Sequence, residues 1–99
     1  MVEVKWLPRA LDDIDSIADY ISKDSDRYAK RLVQKIIERA ELLIANPMLG
    51  RMVPEFRRKN LRELIIGNYR IVYLIYTNRV DVIRVHHSKR KMSRRNLFE

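Results

Sequence analysis

LRELIIGNYRIVYLIYTNRVDVIRVHH, residues 61–87, contains three strand-like runs separated by two short turns. The first run ends at Gly67-Asn68, a pair typical of a two-residue hairpin turn. The second run is rich in β-branched and aromatic side chains, which favour strands. Successive hairpins of this kind predict an antiparallel meander of three strands. The strands are expected at residues 61–66, 69–76 and 80–87.

One further strand and two helices are predicted upstream of the meander. Residues 2–6 alternate apolar and charged side chains, as a half-buried strand does. Pro8 is tolerated in the first turn of a helix, and it is followed by apolar residues at helical spacing, namely Leu11, Ile14, Ile17, Ala18 and Ile21. Ser25 or Asp26 can cap a second helix, which is expected to end at Asn46-Pro47. The short link between the helices predicts an antiparallel helical hairpin.

These elements together predict an α+β fold with the order β-α-α-β-β-β. The helical hairpin is expected to pack on one face of a small antiparallel sheet, and the other face is expected to be bare. The pattern alone does not place the first strand within the sheet. We expect one domain over residues 1–99, in which residues 88–99 form a basic C-terminal tail that is partly disordered.

The composition is that of a globular protein, with 46% hydrophobic and 34% charged residues. No apolar run approaches the roughly 18 residues that a membrane span needs, so no membrane partner is expected. The N-terminus lacks the basic-then-apolar form of a signal peptide, which favours a cytoplasmic location. The chain has no cysteine, which excludes disulfides and thiolate metal sites, and we predict neither a metal nor a cofactor.

The charge of the chain is concentrated in its second half. Residues 1–50 hold 8 Lys/Arg and 9 Asp/Glu, a net of −1, whereas residues 51–99 hold 13 Lys/Arg and 4 Asp/Glu, a net of +9. Scattered surface charge would not separate in this way. The contrast indicates a polyanionic partner for the second half, either a nucleic acid or an acidic protein.

The alternation of the last strand gives an expectation for the two faces of the sheet. Isoleucine and valine dominate its odd positions, which predicts that these positions face the helices. Arg84 and His86, at even positions, would then share the bare face with Arg62. Strict two-residue turns would place Arg70 opposite Val85 on the apolar face, whereas a bulge or a longer turn would exchange the faces.

The chain resembles the RelE/ParE toxins over nearly its whole length. The resemblance rests on the order of the elements and on four short motifs, Asn46-Pro47 with Gly50-Arg51, Leu61-Arg62-Glu63-Leu64, Tyr69-Arg70-Ile71-Val72-Tyr73 and His87-Ser88-Lys89-Arg90. It implies the toxin of a type II toxin–antitoxin module for plasmid stabilisation, which inhibits growth and is neutralised by a cognate antitoxin. ParE-type members inhibit DNA gyrase, and RelE-type members cleave messenger RNA on the ribosome. No small-molecule substrate is implied.

The resemblance also implies candidate site residues. Arg70 matches the arginine of the central strand, and Arg90 matches the arginine just beyond the last strand. Because the resemblance places Arg70 at the site, we expect a bulge or longer turn that exchanges the faces, or Arg70 at an uncovered edge. Arg62 is the only basic residue on the strand that carries lysines in RelE-type nucleases, and His86 could replace a missing acid or base because no tyrosine follows Tyr76. These four residues are the candidate catalytic set. Contacts to nucleic acid or antitoxin are expected from Arg51, Arg57, Arg58, Lys59, Arg84, His87, Lys89 and Lys91.

Three functions remain open at this point. The first is a ParE-like toxin that acts by binding. The Gly67-Asn68-Tyr69-Arg70 hairpin and the His87-x-x-Arg90 ending resemble the ParE branch most, and an inhibitor that only binds needs no general base. A ribosome-dependent endoribonuclease is the enzymatic alternative. A non-toxic nucleic-acid-binding module, with the basic loop and tail on phosphates, is the third.

Overall fold

The computed structural model describes residues 1–99, and its elements follow the predicted order with two additions. A two-residue strand precedes the meander, and a short helix lies near the C-terminus. In chain order the elements are β1 Glu3–Trp6, α1 Pro8–Ser22, α2 Asp26–Glu41, β2 Arg51–Met52, β3 Leu61–Ile66, β4 Tyr69–Ile75, β5 Arg79–His87 and α3 Arg94–Phe98. Two single turns of 3₁₀ helix, Leu42–Ile44 and Pro47–Leu49, lead from α2 to β2. None of the helices is long and apolar enough to cross a membrane.

The two long helices form the predicted hairpin. α1 begins at Pro8, and α2 begins after Ser25, whose hydroxyl accepts a hydrogen bond of 3.1 Å from the backbone N–H of Tyr28. The apolar stripes of both helices pack on one face of the sheet, where 13 buried residues form the main core. Ile36 of α2 and Tyr73 of β4 are fully buried in it.

The sheet has five strands in the order β1-β5-β4-β3-β2. β3, β4 and β5 form the predicted antiparallel meander, which confirms the α+β fold class. β1 pairs with β5 in parallel, from Glu3 opposite Arg79 to Trp6 opposite Val82, so the sheet is mixed and the expectation of a wholly antiparallel sheet was wrong. β1 therefore covers only the first part of β5, and the outer edge of β5 beyond Val82 is left to contacts from α1.

A β-bulge in β5 decides which side chains share a face. Val72 lies opposite Arg84 and Tyr73 opposite Val82, so Ile83 is the extra residue. The expected exchange of faces is confirmed, because Arg70 pairs with His86 rather than with Val85. The expectation that the odd positions share the helix-covered face was wrong, since Val85 joins the main core while Ile83 packs on the other side of the sheet.

The expectation of a bare second face was also wrong. A second cluster of buried apolar residues lies on this face, made of Val53, Leu61, Val72, Ile83, Met92 and Leu97. The loop after β2 and the C-terminal segment supply its cover. Ser93 caps α3 by accepting from the N–H of Asn96, whose side chain accepts in turn from the N–H of Ser93. The basic tail is therefore folded across the sheet, because Met92 and Leu97 are two apolar residues that it can bury.

Candidate functional site

Arg70 lies on the second face of the sheet within an ion-pair network. Its Nε donates to Glu63 at 2.6 Å, and its two Nη atoms donate to the two carboxylate oxygens of Glu55 at 3.0 and 2.9 Å. Nη1 also donates to the backbone carbonyl of Arg90 at 3.1 Å. The hydrogen bond from Arg70 lowers the pKa of Glu55 to about 2 and raises the pKa of Arg70 itself. The guanidinium group is fully occupied, with its charge opposed by two carboxylates.

Glu63 makes this network part of the sheet. It is 1% exposed and accepts from Arg70 with one oxygen and from Arg51 with the other, at 2.7 Å. A buried carboxylate needs such partners, because its desolvation is costly unless it is paired and hydrogen-bonded. The sequence motif Leu-Arg-Glu-Leu therefore supplies an acid on the same face as Arg70.

Arg84 is paired in the same way with an acid that the sequence analysis missed. Asp13 of α1 accepts from Nε and Nη2 of Arg84 at 2.7 and 2.9 Å, and from the backbone N–H of Val85 at 2.9 Å. The last bond satisfies the edge of β5 that β1 leaves open. The position of Asp13 could have indicated this contact. Asp13 lies three residues after buried Ala10 and four before Ile17, which places it on the apolar side of α1.

His86 is buried without a hydrogen-bond partner. It is 3% exposed, and neither ring nitrogen is bonded. The pKa of His86 is lowered to about 4, mainly by burial and also by the charge of Arg84, while Asp13, at 3.8 Å, opposes these effects. His86 lies in a cleft of about 440 Å³ between α1 and the end of β5, and Tyr20, Tyr69, His87 and Arg90 line the same cleft.

Arg62 lies apart from the other three candidate catalytic residues. It is opposite Tyr73, whose side chain is in the main core, so it points to the helical side of the sheet rather than sharing a face with Arg84 and His86. Its guanidinium group donates to the backbone carbonyls of Lys59 and Gly50 at 2.9 and 2.8 Å. The predicted grouping of Arg62 with Arg84 and His86 was therefore wrong.

Arg62 helps to hold a tight approach between the turn after α2 and the sheet. The hydroxyl of Tyr73 accepts from the N–H of Gly50 at 2.8 Å and donates to the carbonyl of Pro47 at 2.8 Å. A Cβ at Gly50 would lie 2.6 Å from that hydroxyl and 2.5 Å from the carbonyl oxygen of Glu63. Only glycine fits there. The Asn-Pro…Gly-Arg motif therefore has a structural role, because it allows this close approach.

The remaining predicted contact residues are at the surface, in two groups. His87 ends β5, Lys89, Arg90 and Lys91 follow it, and Arg57, Arg58 and Lys59 lie on the loop before β3. Arg94 and Arg95 of α3 were not predicted, because residues 88–99 were not expected to fold. Both are exposed, and Arg94 lies beside Arg58 of the loop. Arg51 is exposed but bonded to Glu63. The buried arginines Arg70 and Arg84 are thus paired with acids, whereas the arginines of the loop before β3 and of α3 are exposed and form no ion pair.

The sequence matches a known family over most of its length. The family described as "ParE toxin of type II toxin-antitoxin system, parDE" covers residues 4–92. The chain is 33% identical over 91 residues to Toxin RelE2 of Caulobacter vibrioides, and the aligned region covers 91% of this chain and 99% of that protein. Toxin RelE3 of the same organism is 29% identical and covers 89% and 96% of the two chains.

Solved structures share the fold. A chain of the chromosomal ParDE toxin–antitoxin system from P. aeruginosa superposes with a TM-score of 0.73 at 23% identity, over 90% of this chain and 98% of that one. A chain of the toxin–antitoxin complex RelBE2 from Mycobacterium tuberculosis superposes with a TM-score of 0.64 at 22% identity, over 87% of this chain and 96% of that one. Together with the family match over residues 4–92, the likeness to RelE2 shows that the chain belongs to the ParE toxin family, the RelE/ParE superfamily toxins of type II toxin–antitoxin systems.

Proposed function

We propose that this toxin inhibits growth by binding its target, with DNA gyrase as the first candidate, and that it does not cut RNA. The observation that carries the proposal is the pairing of Arg70 with Glu55 and Glu63. RNA cleavage requires cations that stabilise the phosphate and a group that moves a proton. An arginine that is already bonded to two carboxylates offers little to a phosphate.

The other candidate catalytic groups support the same proposal. Arg84 is bonded to Asp13, and Arg62 donates to backbone carbonyls on the helical side. The nitrogens of His86 are enclosed by protein atoms. Of the four candidate catalytic residues, Arg90 alone has an exposed, unpaired side chain. An inhibitor that works by binding needs an exposed surface, which the basic loop and tail supply.

We further propose a cognate antitoxin as the partner that neutralises the toxin in the cytoplasm. The solved neighbours are toxin–antitoxin assemblies, namely the ParDE, RelBE2 and YoeB–YefM complexes. The net charge of +9 on residues 51–99 would attract an acidic antitoxin segment. The whole chain, residues 1–99, acts in this proposal as a single toxin domain.

The experiment is induced expression with and without the neighbouring small gene, followed by a supercoiling assay with purified toxin and gyrase. We expect growth arrest without the partner gene, rescue with it, and inhibition of supercoiling at stoichiometric toxin. Primer extension on messages from arrested cells should show no codon-positioned cuts. Such cuts, with gyrase unaffected, would overturn the proposal, and absence of arrest would favour a non-toxic nucleic-acid-binding module.

One observation favours the endoribonuclease as a second candidate. The cleft beside β5 brings His86, His87 and Arg90 together with Tyr69, so a base, a cation and a stacking surface lie in one place. If this cleft cleaves RNA, Arg90→Ala should abolish cuts in arrested cells, and Lys89→Ala, the neighbouring exposed cation outside the cleft, should retain them. If the toxin acts on gyrase, no cuts are expected in the wild type or in either variant.

A further inference from the structure

We propose that the surface formed by Phe56, Arg58, Arg94 and Phe98 is a binding site for single-stranded nucleic acid. We call it the aromatic–basic cleft. In this proposal a base stacks on the exposed phenylalanine ring while the two arginines bind the flanking phosphates. The site shares no lining residue with the His86 cleft. None of its four residues takes part in the ion pairs of Arg70 and Arg84. The inference stands independently of whether gyrase is the target.

The geometry of the cleft is that of a small aromatic platform between two cations. The ring centroids of Phe56 and Phe98 are 6.2 Å apart with an interplanar angle of 82°, and the cleft measures about 330 Å³. Phe98 is 40% exposed, which leaves part of its ring open to a stacking base. Phe56 packs against the second apolar cluster, and Leu97, the residue before Phe98, is buried in that cluster.

The cations around the cleft are free. Arg57, Arg58 and Lys59 on the loop and Lys91, Arg94 and Arg95 on the tail are exposed, and none of them forms an ion pair. By contrast, Arg51, Arg70, Arg79 and Arg84 each contact a carboxylate. Two of these free cations, Arg58 and Arg94, line the cleft, and the other four lie within three residues of them in the chain. Free cations that neutralise phosphates release counterions, and this release drives binding to nucleic acid.

Arg57 adds an independent sign that the loop is functional. It is the one residue other than glycine with a positive φ, at 52°. Its N–H donates to the carbonyl of Val53 at 2.9 Å, in a turn that glycine would close without strain. An L-residue in this conformation costs roughly 1–2 kcal/mol, and strain of this kind clusters at binding sites. Arginine there adds a cation between Phe56 and Arg58 in the chain at the expense of stability.

The residue types favour a nucleic acid over an acidic protein segment. The exposed apolar surface of the cleft is limited to two rings enclosed by charge, whereas a protein interface has a larger apolar centre. Rings stack on any base, and guanidinium groups bind phosphates bidentately. We therefore expect binding with little sequence preference and a strong dependence on salt.

The test is fluorescence anisotropy of purified full-length protein with labelled oligo-dT and oligo-U at several salt concentrations. The variant Arg58→Ala/Arg94→Ala should weaken binding by at least about ten-fold and reduce the slope of log K against log[salt] by about 1.4. The matched control is Arg31→Ala/Lys35→Ala, which removes the same charge from exposed positions of α2. It should leave affinity within about two-fold, because these cations are remote from the cleft. Phe98→Ala should weaken binding by about five-fold or more through lost stacking.

Arg57→Gly separates binding from folding. It should raise the urea midpoint by removing strain while it lowers the affinity for the oligonucleotide. If the affinity for the oligonucleotide falls equally in the cleft variant and in the α2 control, the proposal is overturned, because binding would then reflect only the net charge of the protein. It would also be overturned if no binding occurs at low salt, or if oligoglutamate displaces the oligonucleotide with equal affinity, which would indicate an acidic protein partner.

Discussion

Arginine has two separate roles in this chain, and the surroundings of each side chain decide between them. Arg70 and Arg84 are buried and paired with acids, whereas Arg58 and Arg94 are exposed and free. A buried pair contributes little compared with apolar residues of the same volume, but removal of one partner costs about 3–5 kcal/mol. The local sequence does not reveal the pairing, because the acid lies far along the chain, as Asp13 does from Arg84.

His86 gives the protein a pH-dependent stability that follows from its burial. Its pKa is about 4 in the folded protein against 6.5 in the unfolded chain, so only the unfolded chain binds a proton between these values. The folded state should therefore lose stability as pH falls from 6.5 to 4, by up to about 1.4 kcal/mol per pH unit. Urea unfolding at pH 7, 5.5 and 4.5 measures this loss.

The variant His86→Leu should remove the decline between pH 6.5 and 4.5. His87→Ala, which changes the exposed neighbouring histidine, should retain it. Below pH 4.5 a second decline is expected in the wild type, because Glu55 has its pKa lowered to about 2 and its contribution is lost as it protonates. A flat profile in the wild type between pH 6.5 and 4.5 would show that His86 is not buried as described.

At the level of elements, α1 and β5 are joined by Asp13. The sequence predicted both elements from their periodicities, but not this contact, because it depends on β1 pairing with β5 only as far as Val82 and leaving the edge of β5 to α1. Asp13→Asn should lower the free energy of unfolding by about 3 kcal/mol, since Arg84 would be left buried without its partner.

Asp12→Asn is the matched control for this prediction. Asp12 is the preceding residue of α1, is exposed, and forms no ion pair, so its substitution should change stability by less than about 0.5 kcal/mol. Urea unfolding followed by circular dichroism measures both variants. Equal stability of the two variants would show that the Asp13–Arg84 pair contributes nothing.

The C-terminal segment is the element that the sequence analysis described least well. High charge in residues 88–99 indicated a disordered tail, yet the two apolar residues Met92 and Leu97 suffice to dock it. Leu97→Ala should cost about 2–3 kcal/mol in urea unfolding, because Leu97 is 3% exposed. Leu42→Ala, at a residue that is 52% exposed, should cost much less. No difference between them would mean that the tail does not pack on the sheet.

At the level of the whole molecule, the charge contrast between the halves follows directly from the sequence, but the expected location of the cations was wrong. The sequence analysis placed the cations on a bare sheet face. That face is covered, its arginines are neutralised, and the free cations lie on the loop and tail around it. Periodicity predicts which elements form, whereas the pairing of charges depends on register and on contacts between distant segments.

The claim that the strand arginines are structural can be tested directly by replacing the network rather than breaking it. The variant Arg70→Met with Glu55→Gln and Glu63→Gln removes the cation together with both of its acids. It should retain a cooperative thermal transition, because no buried charge is left unpaired within the triad. Our account predicts that induction of this folded variant arrests growth as the wild type does. A variant that folds but no longer arrests growth would contradict the account, because Arg70 would then act on the target.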